Sequence, residues 1–325
     1  MDFELSKEET REITKTGCFI SIIAPAYNEY ENLNFFYQRM KTVLNEITEN
    51  WEIVFINDGS KDETLKELIR LNSIDERNKI IDFSRNFGKE IALTAGLDYA
   101  SGQVIIPIDT DLQDPPELIY EMIKLWKEGN DVVYATRTKR EGETFIKKIT
   151  AHLFYDFINK MTKISIPKNT GDYRLMDRKV LDSLKQLKET HRFMKGLFSW
   201  VGYKQISLPY VREPRYAGTT KFNYWKLWNF AIEGITSFSI VPLQFATYLG
   251  FFVFVTSFIY AIIIITKTII FGSDVKGYPS MMVTLLFMGG VQLITVGVIG
   301  EYVGRIYNEV KQRPLYIVNR KYGIK

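Results

Sequence analysis

Two stretches constrain what this chain can fold into before any motif is considered. From Leu243 to Ile265, and again from Met281 to Gly300, the sequence carries no charged residue. Each run is about the 20 residues that a helix needs to cross the hydrocarbon of a bilayer. A backbone in that medium must satisfy its own hydrogen bonds, so a helix is the local solution. A helix buried in a soluble core would normally keep a polar stripe, and neither run has one. The link between them, FGSDVKGYPS, is short and nearly neutral, whereas Lys221 and Lys226 precede the first run and Arg305, Lys311, Arg313, Arg320 and Lys321 follow the second. Basic residues gather on the cytoplasmic side of a membrane. The expectation is therefore an integral protein of the cell inner membrane with two transmembrane helices within 243–303, at about 243–270 and 280–303. The amino-terminal domain and a basic tail, 304–325, would both be cytoplasmic. Just ahead of the first run, FNYWKLWNFAIEGITSFSI mixes aromatic and basic residues, which predicts amphipathic helices lying in the interface over 222–242.

The rest of the chain has room for one soluble domain, expected over 18–221. FISIIA, rich in β-branched residues and stopped by Pro25, predicts a buried strand; WEIVFI repeats the design and runs into the turn NDGS. Further strands are predicted at 79–83, 103–108, 131–135 and 204–210, and a helix near 145–162. Strand, loop and helix alternate, which calls for an α/β domain with a mainly parallel sheet. Residues 1–17 form an extension rich in acids without an apolar core segment, so neither a secretory signal nor a transit peptide is expected. Cys18 is the single cysteine, which leaves no internal disulfide and no zinc cluster. With 42 Lys plus Arg against 38 Asp plus Glu, the charge balance does not point to nucleic acid. Neither GxGxxG nor GxxxxGK[ST] occurs, so a dinucleotide dehydrogenase and a P-loop ATPase are unsupported.

The chemistry concentrates in PIDTDLQDPPE, where an apolar run ends in Asp109 and Asp111. Ligands of open parallel sheets bind beyond the carboxyl ends of the strands, and Asp58, Asp109 and Asp111 all stand at such ends. Carboxylates packed together repel unless a cation joins them. A hard ion such as Mg²⁺ or Mn²⁺ takes one or two carboxylates and fills its shell with water and phosphate oxygens. Asp-x-Asp at this place therefore points to a site for a metal-bound diphosphate.

APAYNE, INDGSKDET, SRNFGKEIALTAGLDYA, PIDTDLQDPPE, TGDYRLMDR, RYAGTTKF and GEYVGRIYNEVKQRPLY together resemble the family 2, GT-A-fold polyisoprenyl-phosphate glycosyltransferases. The chain is most similar to the bactoprenol glucosyltransferases and also resembles the dolichol-phosphate mannose synthases. The resemblance runs from about residue 18 to the end. It implies a GT-A, Rossmann-like catalytic domain followed by the interfacial helices and the hairpin. It also implies transfer of glucose from UDP-glucose to undecaprenyl phosphate, with inversion and release of UDP. By the same resemblance Pro25, Tyr27, Glu29, Asp58, Lys89, Asp109 and Thr110 line the nucleotide site, and Asp58 partners the base. Asp109, Asp111 and Gln113 hold Mg²⁺ or Mn²⁺, and Arg137, Lys148, Arg215 and Lys221 grip the acceptor phosphate. Asp172 of GDYRL falls where the family carries its catalytic acid residue, and a homo-oligomer is expected.

Alternatives differ in what they require. GDP-mannose or a UDP-amino sugar could replace UDP-glucose, since no residue physically forces glucose. A noncatalytic, membrane-tethered nucleotide-binding scaffold would tolerate loss of the Asp-x-Asp pair, Asp172 or the basic cluster, yet all are present. A processive synthase would need QxxRW and a longer channel, and the chain has neither.

Overall fold

The computed structural model describes residues 17–138, 167, 170–190, 192–213, 241–271 and 277–324. The expected helix near 145–162, the interfacial segment 222–240, and Lys148, Arg215 and Lys221 lie outside the described residues. The chain divides into two units, 1–227 with 314–325, and 228–313.

The first unit is built on strands β1 (Ile20–Ala26), β2 (Trp51–Asn57), β3 (Asn78–Phe83), β4 (Val104–Pro107), β5 (Val132–Arg137), β6 (Thr170–Asp177), β7 (Gln205–Tyr210) and β8 (Val318–Tyr322). Helices α1 (Tyr30–Ile47), α2 (Thr64–Ile74), α3 (Lys89–Tyr99), α4 (Leu118–Lys127), α5 (Arg178–Gln186) and α6 (Met194–Trp200) lie between the strands. ISIIAPA and WEIVFIN are apolar because both faces of a central parallel strand are covered, and β2 is buried along its whole length. Leu33, Phe36, Tyr37, Met40, Val43, Leu44 and Ile47 recur at helical spacing and give α1 its core face.

The eight strands run in the order β7-β5-β6-β4-β1-β2-β3-β8. β1 pairs parallel with β2 and β4, β2 with β3, and β5 with β7. From β1 the order proceeds one way through β2 and β3 and the other way to β4, so a topological switch point lies between β1 and β4, where ligands of such sheets settle. Two pairings of β6 complete the frame. It runs antiparallel to β4, with Val104 opposite Asp177, and antiparallel to β5, with Thr136 opposite Thr170. The amino end of β6 therefore meets the carboxyl ends of β4 and β5.

The carboxyl segment departs from the expected separate tail. Val318–Tyr322 joins the sheet as an antiparallel edge beside β3, which covers a row of backbone groups that would otherwise be open. Tyr316 stacks on Phe83 with ring centroids 5.2 Å apart and donates to Asp98 at 2.9 Å. Asn319 donates to Asp82 at 2.9 Å.

The second unit contains α7 (Val241–Phe271) and α8 (Tyr278–Val310). Phe251, Phe252, Ile262, Ile263 and Phe271 on α7, and Phe287, Leu293, Ile294 and Val303 on α8, are all exposed. Among the described residues, Phe287–Val310 is long and apolar enough to cross a membrane, and Tyr248–Tyr260 is a shorter apolar helix. Large apolar side chains turned outward in this number call for an apolar surrounding.

Candidate active site

The loop after β1 and the turn after β2 are laced together. Asn28, at φ 53°, accepts from the Lys61 N–H at 2.8 Å, and its own N–H donates to Ser60 Oγ at 3.0 Å. The Glu29 N–H donates to Thr64 Oγ1, and the Glu29 carboxylate accepts from Asn32 at 2.6 Å. Pro25 and Tyr27 are half-buried along the same edge. In the turn, Gly59 has φ 64°, and a Cβ there would come within 2.4 Å of the Arg85 backbone. Only glycine satisfies both the left-handed conformation and that approach.

Asp58 is buried and bound into the fold. Its two carboxylate oxygens accept the N–H groups of Phe87 (2.7 Å) and Gly88 (3.0 Å), fastening the loop between β3 and α3. Burial raises its pKa while those two bonds act in the opposite direction. The expected partner of the base is thus also the clamp that sets Lys89 at the first position of α3.

Lys89 is the centre of the arrangement. Its ammonium lies 2.8 Å from Asp109 and 2.7 Å from Asp172, so it bridges the end of β4 to the start of β6. Burial would lower its pKa, but the carboxylates of Asp109 and Asp172 outweigh burial and hold it above the usual lysine value. Burial would likewise raise Asp172, yet Lys89, Lys195 and Arg174 prevail, and its carboxyl sits well below the ordinary range. The Oδ1 atom of Asp172 is buried and has no hydrogen-bond partner among the described residues.

Asp111 is 5 % exposed, Thr110 is buried, and Asp111 Oδ1 accepts the Gln113 N–H at 3.2 Å. Leu112 between them has φ 58°, a left-handed conformation that is costly for a residue with a branched side chain. Among the described residues no group of three or more His, Cys, Asp and Glu side chains gathers as a metal cage. Two carboxylates of hard oxygen donors nonetheless fit an ion that keeps waters and shares phosphate oxygens. A cation, the Lys89 ammonium, already sits against Asp109.

Arg137, at the end of β5, donates from Nε to Tyr210 Oη at 3.1 Å. A Cβ on Gly171 would meet its Nη2 at 3.0 Å, so the guanidinium lies against the residue preceding Asp172. The structure therefore brings Lys89, Asp109, Asp172 and the Arg137 edge to one side of the sheet.

Three participants were not assigned from the sequence. Arg174 is buried, donates to the Gly171 carbonyl at 2.9 Å and stacks 3.9 Å over Phe198, which fixes the backbone of β6 beside Asp172. Burial lowers it to about 10, so it stays charged. Asp114 lies in the quoted motif DLQDPPE. Glu90 follows Lys89 directly and accepts the Met194 N–H at 3.1 Å, joining α3 to α6. Their positions in quoted motifs were visible, but Phe198 and Met194, which meet Arg174 and Glu90, lie far along the chain on α6.

Burial, with the Asp172 charge beside it, raises the Glu90 carboxyl from 4.5 to about 7. The folded chain then holds a proton that the unfolded chain releases. The resulting stability is fully present below about pH 4.5 and declines as pH rises towards 7. Glu90→Gln keeps an acceptor for Met194 and removes the charge. It is expected to stabilise the ligand-free protein by roughly 1–3 kcal/mol at pH 8 and by little at pH 4. Unfolding measured at both values checks this, and an unchanged pH slope would contradict it.

The β1 edge with Pro25 and Tyr27, the acidic pair after β4, and Lys89 and Arg137 all stand at the carboxyl ends of the strands, where ligands of open α/β sheets bind. The glycosyl transferase family 2 model matches residues 21–185, and a GtrB C-terminal hairpin model matches 241–306. An uncharacterized glycosyltransferase of Synechocystis sp. is 57% identical over 305 residues, 94% of this chain and 96% of that one. The SfII prophage-derived bactoprenol glucosyl transferase of Shigella flexneri is 50% identical over 303 residues, 93% of this chain and 98% of that one. The chain belongs to glycosyl transferase family 2. Its sheet is GT-A-like, and the exposed apolar hairpin is its membrane-associated part.

Proposed function

We propose that the protein transfers glucose from UDP-glucose to undecaprenyl phosphate, or a similar polyprenyl phosphate, at the cytoplasmic face of the inner membrane. The observation that carries this reading is the Lys89 bridge between Asp109 and Asp172, in a chain that also has a GtrB-type hairpin. The 50% identity to proteins named bactoprenol glucosyl transferases supports the choice of sugar and lipid.

The acceptor is a phosphate monoester, whose second pKa of about 6 leaves it largely dianionic at pH 7. One of its oxygens attacks the anomeric carbon of glucose. The new carbon–oxygen bond forms as the bond to the donor diphosphate breaks, and UDP departs with that electron pair. A single in-line displacement inverts the configuration, so an α-linked donor gives a β-linked lipid product. No proton has to be removed for the charges to balance. Pro25, Tyr27 and Glu29 line the nucleoside end, and Asp58 holds the Lys89 loop there. Arg137, with Lys148, Arg215 and Lys221, binds the acceptor phosphate. Asp172 aligns that phosphate through the Lys89 ammonium that it holds, and most of the acceleration comes from position and fixed charge. When bound by Asp109 and Asp111 with Gln113 alongside, Mg²⁺ or Mn²⁺ would act as a Lewis acid towards the leaving diphosphate.

The test is to incubate the purified chain with undecaprenyl phosphate, Mn²⁺ or Mg²⁺, and radiolabelled UDP-glucose, GDP-mannose or a UDP-amino sugar in turn. Label is expected in the lipid with UDP-glucose. Labelling from GDP-mannose or a UDP-amino sugar alone would replace the donor, and no labelled lipid from any donor would refute the reading.

A further inference from the structure

Arg212 is not among the residues assigned to the acceptor, yet it reaches the same point as Arg137. That point is Asp114, which is 2 % exposed. Its Oδ1 atom accepts from Tyr210 Oη, while Arg137 Nη2 and Arg212 Nε both stop 3.9 Å away. At that distance neither guanidinium is hydrogen-bonded to the carboxylate.

Poor fit between the segments does not explain the gap. The same two loops are already joined by closed contacts: Arg39 lies 2.7 Å from Glu117 and 2.9 Å from Glu213. The Glu213 N–H also donates to the Gln113 carbonyl at 3.0 Å. Backbone on both sides of Arg212 and Asp114 is therefore fixed, and the guanidinium groups stand off within a fixed frame. Arg212 Nε is buried and has no hydrogen-bond partner among the described residues. A buried donor left without an acceptor is costly. Two guanidinium groups face one carboxylate, and one of them, Arg137, also lies against Gly171, the residue before Asp172. Planar forks of this kind match a phosphate with paired hydrogen bonds.

We propose that Arg212 is a second ligand of the acceptor phosphate, acting with Arg137, and that the buried Asp114 carboxylate is what draws both side chains to one place. This rests on the reading of a lipid phosphate as acceptor given above.

The experiment uses the full chain, with initial rates measured while undecaprenyl phosphate and UDP-glucose are varied separately. Arg212→Gln is expected to raise KM for the lipid phosphate at least tenfold and to leave KM for UDP-glucose within twofold. Arg212→Lys, which keeps the charge and loses the fork, is expected to fall between that variant and wild type. It also carries the test if the Gln variant does not fold. A lipid KM equal to wild type in the Gln variant, or KM values for donor and lipid that rise together, would overturn the assignment and leave Arg212 a structural residue. If wild type labels no polyprenyl phosphate, the functional reading itself fails and this proposal falls with it.

Discussion

An Asp172→Asn enzyme is expected to lose at least two orders of magnitude in kcat, roughly 3 kcal/mol of transition-state stabilisation, while its affinity for UDP stays within about threefold. The antiparallel register of β6 against β4 is what carries Asp172 to the cleft. There it accepts a 2.7 Å contact from Lys89, and its other oxygen is buried without a partner among the described residues. Asparagine preserves shape but removes one of the two negative charges that hold the Lys89 ammonium in place. The cost falls on the step in which the phosphate attacks, so kcat changes more than donor binding.

The same geometry argues that Asp172 is not a general base. A useful base has a pKa near the working pH, whereas Lys89, Lys195 and Arg174 overcome burial and hold this carboxyl far lower. It remains ionised from pH 5 to 8. Its depressed pKa favours the folded state above the ordinary aspartate range and loses that contribution only as pH falls below it. The kcat profile between pH 5 and 8 should therefore have no limb that disappears in Asp172→Asn. Finding such a limb would assign Asp172 to proton transfer.

Much of the catalytic sheet could be read from the sequence because its central strands are apolar throughout. ISIIAPA and WEIVFIN have no polar face to confuse the pattern, and the acids stand where those runs end. β6 was less legible. TGDYRLMD places Asp172, Arg174 and Asp177 in a single strand, and the motif stood out while the strand did not. Arg174 is tolerated there because the nearby Gly171 carbonyl and the distant Phe198 ring, the latter invisible in local sequence, take up its charge. β8 was missed for the opposite reason: VNRKY is an edge strand with three exposed residues in the middle, and polar edges look like a basic tail. Within the site, Asp58, Asp109 and Asp111 stood out by their position at strand ends, whereas Lys89 and Asp172 came from the family resemblance. Glu90, Asp114 and Arg212 were not found, since each gains its meaning from a partner far along the chain.

Removing divalent ions should have the largest effect on donor binding. On the reading proposed above, Asp109 and Asp111 supply hard oxygen ligands and the described side chains do not complete a cage, so affinity for an ion and for a diphosphate should depend on one another. Lys89 alone cannot replace the ion, because both Asp109 and Asp172 already draw on its single charge. Turnover should fall at least a thousandfold on chelation, and Asp111→Asn, which retains an acceptor for the Gln113 N–H, should reproduce the loss. The most direct measurement is calorimetric titration of UDP into wild type and Asp111→Asn, each with Mn²⁺ and with chelator. UDP should bind wild type at least tenfold more tightly with Mn²⁺, and that gain should vanish in Asp111→Asn. Equal binding of UDP to wild type with and without the ion would contradict the account.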